Sequence, residues 1–196
     1  MGQHAIEVFY PQSESIDHFN HWIIEIILPY ITGRVLETNS DRGAISSKLI
    51  EQGFTVQLNA ASESNRNFLQ DKFKEMPLVR GIHKINFLNP RMELKYLKFQ
   101  DQFQTIIALG NIEENTFYDK SSIDKARRLL KVGGNMIVLG KAQSCFFPGS
   151  EIDFIELKKY NWSLIQNLLH NCEVLITRFF DRNGLYFIAV GEKIAG

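Results

Sequence analysis

The stretch Arg34-Val35-Leu36-Glu37-Thr38-Asn39-Ser40-Asp41-Arg42-Gly43 runs from a short apolar strand through a turn into the amphipathic segment Ala44-Ile45-Ser46-Ser47-Lys48-Leu49-Ile50. In an open α/β sheet ligands sit outside the carboxyl ends of the strands, so the turn after a first strand is where a nucleotide-like cofactor is held. Further apolar runs over 54–58, 82–87, 103–109 and 136–139 alternate with helical patterns. Strands and helices alternating in this manner predict a mostly parallel sheet with helices on both faces.

Residues 1–15 are mixed in character, are broken by Pro11, and read as an arm before a single domain over 16–196. Ile16, Phe19, Ile23, Ile26 and Ile27 then recur at helical spacing until Pro29 stops the helix. Gly33 breaks the chain before the first strand, and Glu51-Gln52-Gly53 ends the helix that follows it. The next helix takes Ser62 or Ser64 as its cap and Phe68, Leu69 and Phe73 as its apolar face. Residues 91–102 form a connection with a helical turn. Ser121-Ser122-Ile123-Asp124 has the spacing of a capping box for a helix that Gly133-Gly134 closes. Past a connection over 141–156, residues 160–169 are amphipathic with Trp162, Ile165, Leu168 and Leu169 on one side. Asp181-Arg182-Asn183-Gly184, set between apolar runs, is a hairpin signal.

The 22 Lys and Arg balance 22 Asp and Glu, which leaves no basic footprint for nucleic acid or an anionic membrane. The apolar run over 22–31 contains Glu25 and Pro29 and is too short to span a bilayer. No basic start followed by an apolar core marks a secretory signal. Cys145 and Cys172 lack metal or redox spacing and read as buried thiols of a reducing compartment, which predicts a cytoplasmic protein. Among the histidines only His18 and His21 share a helical spacing, a surface or packing feature more often than a ligand pair, so no metal is expected.

Several segments occur in a fixed order: Phe19-Asn20-His21-Trp22, Pro29-Tyr30-Ile31-Thr32-Gly33-Arg34-Val35-Leu36-Glu37, Ile85-Asn86-Phe87-Leu88-Asn89-Pro90, and Phe103 through Glu114. Leu129-Leu130-Lys131-Val132-Gly133-Gly134 and Glu156-Leu157-Lys158-Lys159-Tyr160 complete the set. From about Phe19 to Lys193 the chain thereby resembles the class I S-adenosylmethionine-dependent methyltransferases. Its segments match that family's "PYL-G-RVLEVGCGTG", "GDLLDP", "FDTVVALNVLEH", "LLKPGG" and "HYRRY". The resemblance implies a three-layer α/β/α Rossmann-like fold, with a seven-stranded, mostly parallel sheet whose C-terminal strands form an antiparallel edge pair. It also implies S-adenosylmethionine as the cofactor, if any is bound.

Carried over position by position, the resemblance assigns cofactor binding to Glu37, Asn39, Ser40, Asp41, Gly43, Asn59, Ala60, Asn86, Phe87 and Leu109. Glycines let a ligand approach backbone because they lack Cβ and accept positive φ, yet Asn39, Ser40 and Asp41 stand where the family has Gly, a small residue and Gly. Asn39 is expected to preserve the turn through its tolerance of left-handed backbone, and the Asp41 carboxylate is expected to cap the following helix. Arg42 is a candidate partner for a ligand carboxylate. The ribose-binding acid falls on Ala60, with Asn59 the nearest polar side chain, and the acid beside adenine falls on Asn86. Gln104 replaces the Asp of "FDT", and Glu114 and Glu156 replace histidines.

Residues that shape the scaffold fit the family and residues that would touch the cofactor mostly depart from it. The leading reading is therefore a methyltransferase-fold protein that has lost catalysis and acts through a protein partner or an altered ligand in the old cleft. The alternative is an active methyltransferase, with Glu113, Glu114 or Tyr160 facing a hydroxyl or amine of a small-molecule or glycan acceptor and a carboxylate as general base.

Overall fold

The computed structural model describes residues 8–9, 16–87, 89, 91–92, 96–110, 118–141, 162–180 and 186–195. Strand β1 (Val8–Phe9) precedes α1 (Ile16–Ile27) and a 3-10 turn (Leu28–Tyr30) that Pro29 initiates. There follow β2 (Arg34–Glu37), α2 (Ala44–Glu51), β3 (Thr55–Asn59), α3 (Glu63–Phe73) and β4 (Val79–His83). A short 3-10 turn (Leu97–Phe99) leads to β5 (Phe103–Ala108), then α4 (Lys120–Leu129) and β6 (Leu130–Lys141). Helix α5 covers 162–168, and β7 (Cys172–Phe180) and β8 (Tyr186–Lys193) close the chain.

The strands form one sheet in the order β1-β7-β8-β6-β5-β2-β3-β4. Among the described residues only the pairings of β8 with β6 and β7 are antiparallel. The expected seven-stranded sheet and its antiparallel pair are present. Two residues of the expected arm, Val8–Phe9, add an eighth strand parallel to β7. The hairpin signal over 181–184 and the connection over 142–161 lie outside the described residues.

Central strands are apolar on both faces because both are covered. Leu36, Ile106, Ala108, Met136 and Val138 join one core with Ile123, Ala126 and Leu129 of α4 and Ile165 and Leu168 of α5. Their neighbours Val35, Ile107, Leu109, Ile137 and Leu139 join the other, with Ile23 and Ile27 of α1, Ile45 and Leu49 of α2, and Leu69 and Phe73 of α3. Period-2 side-chain alternation thus feeds two cores from one continuous apolar run. From β2 the chain builds outward to β3 and β4, then returns to place β5 on the other side of β2. The carboxyl ends of β2 and β5 therefore meet at a topological switch point.

Several local expectations change. Helix α4 is capped by Asp119, whose Oδ1 accepts from the Ser122 amide at 2.7 Å, so the helix starts before the expected box at Ser121. Gly133-Gly134 do not close α4. The helix ends at Leu129 because Leu130, fully buried, is already extended and paired with Phe103. The glycines lie where the β5–β6 register shifts, with Gly133 at φ 74°. The cap at Ser62 is as expected, its Oγ accepting from the Asn65 amide at 3.1 Å. Phe68 is 43% exposed instead of buried on the α3 face, and the Arg42 guanidinium stands 5.7 Å from its ring centre.

Gly43 binds the turn to the second core. It has φ 73°, and a Cβ there would sit 2.6 Å from the Phe73 ring, itself wedged in that core. Gly43→Ala is expected to cost about 2 kcal/mol or more, from combined overpacking and left-handed strain, read as a lowered urea midpoint at unchanged slope.

Candidate functional site

The turn over 38–43 leaves β2 at the switch point and is tied into the sheet before it reaches α2. The Thr38 amide donates to Ile107 O at 2.9 Å, and the Ser40 amide to Asn59 O at 2.9 Å. Gly43 N donates back to Ser40 O at 2.5 Å. An anion-binding turn works by aiming free N–H groups at its ligand. Three of the six residues in this turn direct theirs into the protein instead.

Asn59, at the end of β3, is the centre of the arrangement. Only 3% exposed, it donates through Nδ2 to Thr38 O at 2.9 Å and to Ile85 O at 3.1 Å, while Oδ1 accepts from the Ile85 amide at 2.5 Å. One amide side chain thereby joins the chain leaving β2, β3 and β4. Its backbone amide is not free to donate to a ligand either, because it donates to Ser40 Oγ at 3.2 Å.

The left-handed residue of the turn besides Gly43 is Asp41, at φ 36°, and not Asn39. Asp41 does not cap α2 either. It is exposed, and the N-cap is Gly43, with no side-chain hydrogen bond to the first turn. A residue two positions ahead of the cap, turned into left-handed backbone, carries its carboxylate away from the helix amides. The carbonyls of the turn are held by α3. Asn65 Nδ2 donates to Asp41 O, and Lys72 Nζ donates to Arg42 O at 2.8 Å and to Gly43 O at 3.3 Å. Positions 65 and 72 flank the buried Leu69 at helical spacing, the one sequence signal that marks them.

Glu37 is buried at the end of β2, where Ser46 Oγ donates to its Oε2. Burial pushes its carboxyl up to about 7, with the Ser46 bond and Lys72 opposing and Asp41 adding. Ser40, Gly43, Ala60, Phe87 and Leu109 are buried as well, Asn39 is half-buried, and Asp41 and Asn86 are exposed. Glu113, Glu114 and Tyr160 lie outside the described residues, as do Glu156, Lys158 and Lys159. Gln104 sits at the opposite end of its strand and is structural: its Oε1 accepts from the Arg34 amide at 2.8 Å.

Tyr118, which sequence patterns did not mark, reaches this site from the chain ahead of α4. Its hydroxyl donates to Thr38 O at 2.9 Å, and its ring meets Phe87 edge-on, centroids 6.3 Å apart. A cavity of about 280 Å3 lies elsewhere, lined by Trp162, Gln166, Leu169, His170, Cys172 and Val174. Cys172 pairs with Lys193 beside the start of β6, which places that cavity at the opposite end of the sheet. Burial pushes the Cys172 thiol up to about 11, so it remains protonated. Among the described residues no group of three His, Cys, Asp or Glu is arranged for a metal, and no helix is long and apolar enough to cross a membrane.

No family model and no curated protein sequence matches the chain. Solved structures do. The [4+2]-cyclase SpnF superposes with a TM-score of 0.66 at 14% identity, covering 100% of this chain and 89% of that one. The fold is that of the class I methyltransferases. The glycopeptide N-methyltransferase MtfA, solved with S-adenosylmethionine, aligns at TM-score 0.64 and 11% identity, over 97% of this chain and 92% of its own. An S-adenosylmethionine-dependent methyltransferase from Methanosarcina mazei aligns at TM-score 0.60 and 16% identity, over 87% and 98%. One of these methyltransferase-like structures is named for a cyclisation, and a shared fold does not carry a shared reaction.

Two outcomes follow from the site. Folded Glu37 keeps its proton up to about 7 whereas the unfolded chain releases it near 4.5, so in that window the unfolded state binds fewer protons and stability falls as pH rises. Urea unfolding from about pH 5 to about pH 8 is expected to show this loss in the wild type and to lack it in Glu37→Gln, where the half-buried His83, its proton affinity lowered by burial and Lys98, contributes the opposite trend. Asn59→Ala orphans the buried Ile85 amide and carbonyl and is expected to cost about 2–4 kcal/mol, measured by the same unfolding curves.

Proposed function

We propose that this chain is a methyltransferase-fold protein that does not transfer methyl groups and acts by binding a protein partner or an altered ligand on the inherited scaffold. The observation that carries this reading is the engagement of Asn59. Both its amide hydrogens and its oxygen are bonded to backbone of the strand ends. A ribose diol needs an accessible acceptor at this strand end, and the Asn59 oxygen is neutral, buried and already accepting from the Ile85 amide. Ala60, at the position of the ribose-binding acid, is fully buried and contributes no polar group.

A second reading, an active methyltransferase on a hydroxyl or amine of a small molecule or glycan precursor, has one observation in its favour. The first turn of α2 carries no side-chain cap, so its amides are suited to a ligand carboxylate. Glu37 also keeps the family's acidic position, where it favours a nearby cation once ionised.

Titration calorimetry with S-adenosylmethionine and S-adenosylhomocysteine separates the two. No heat and no thermal shift at millimolar ligand are expected. Micromolar binding of either compound overturns the reading.

A further inference from the structure

We propose that Tyr118 is a built-in occupant of the cleft at the switch point, holding it closed against an adenosyl-type ligand. The inference rests on the reading above and names the residue that keeps the cleft shut.

Tyr118 and Thr38 are 80 positions apart, and their hydrogen bond crosses from the chain entering α4 to the chain leaving β2. Thr38 O also accepts from Asn59 Nδ2, so both lone pairs of this carbonyl are engaged by the protein. The Tyr118 ring stands at 89° to the ring of Phe87, the residue that follows β4 on its way out of the sheet. One phenol thus touches two of the walls between which a ligand outside the strand ends has to lie. A ring held at hydrogen-bond distance from the cleft floor leaves no room for a second planar group in that place.

The contact is anchored on both sides. Asp119 caps α4 immediately after Tyr118 and fixes the backbone that carries it. From the same helix, Lys125 Nζ donates to Phe87 O at 2.8 Å, so α4 positions the tyrosine and the wall it faces together. Burial pushes the phenol up to about 12, and it remains a donor throughout the physiological range.

S-adenosylhomocysteine titrated calorimetrically into the full chain tests this. Tyr118→Ala is expected to bind about tenfold or more tighter than the millimolar limit at which wild type gives no heat. Tyr118→Phe keeps the ring and is expected to gain less than Tyr118→Ala. A cooperatively folded Tyr118→Ala protein that, like the wild type, gives no heat at millimolar ligand overturns the proposal and leaves the loss-of-catalysis reading standing. Micromolar binding by the wild type itself overturns both. Should Tyr118→Ala fail to fold, Tyr118→Leu keeps apolar contact with Phe87 while removing ring and hydroxyl, and its binding is judged by the same two outcomes.

Discussion

A parallel strand buried on both faces ends in backbone groups that water does not reach, and each needs a partner from somewhere. At the switch point of this sheet the partner is the chain itself. Asn59 joins Thr38 and Ile85, Ser40 joins β3, and Tyr118 supplies a second donor to Thr38 O. The rest of the site follows from that satisfaction. The three amides of the turn that are bonded into the protein cannot also be presented to a ligand, and a carbonyl with two donors has no capacity for a third.

Electrostatics at the site follow from the same closure. Glu37 is an acid enclosed by protein, with a serine hydroxyl as its hydrogen-bonding neighbour and its proton retained to about 7. Burial of a carboxylate without a full cationic partner is costly. Lys72, which contributes some compensation, is occupied with two carbonyls of the turn. Helix α3 thus stabilises the turn mechanically through Asn65 and Lys72 more than it neutralises the acid beside it.

The scaffold tolerates this because its stability resides elsewhere. Two apolar cores, one on each face of the sheet, draw on every central strand and on all five α-helices among the described residues. That packing needs apolar residues at the right period and not particular identities, which is why the same architecture appears in structures sharing 11–16% of their residues with this chain. It also separates the fold from its chemistry: the cores do not depend on what fills the cleft.

Apolar periodicity therefore determined the order and type of the elements. The continuous run over 103–109 announced a strand covered on both faces, and the helical spacing of Leu69 and Phe73 announced the packing face of α3. Local signals were less secure where neighbours in space compete with neighbours in sequence. Leu130 was drawn from the helix into β6 by the core, and Asp41 took the left-handed conformation expected of Asn39. Only the tertiary structure decided how the strand ends at the switch point are bonded. Which carbonyl meets the Asn59 amide, and that Tyr118 meets Thr38 across 80 residues, depends on strand order and register. Those are non-local quantities, settled when two cores pack at once, and no window of the sequence contains both partners of such a bond.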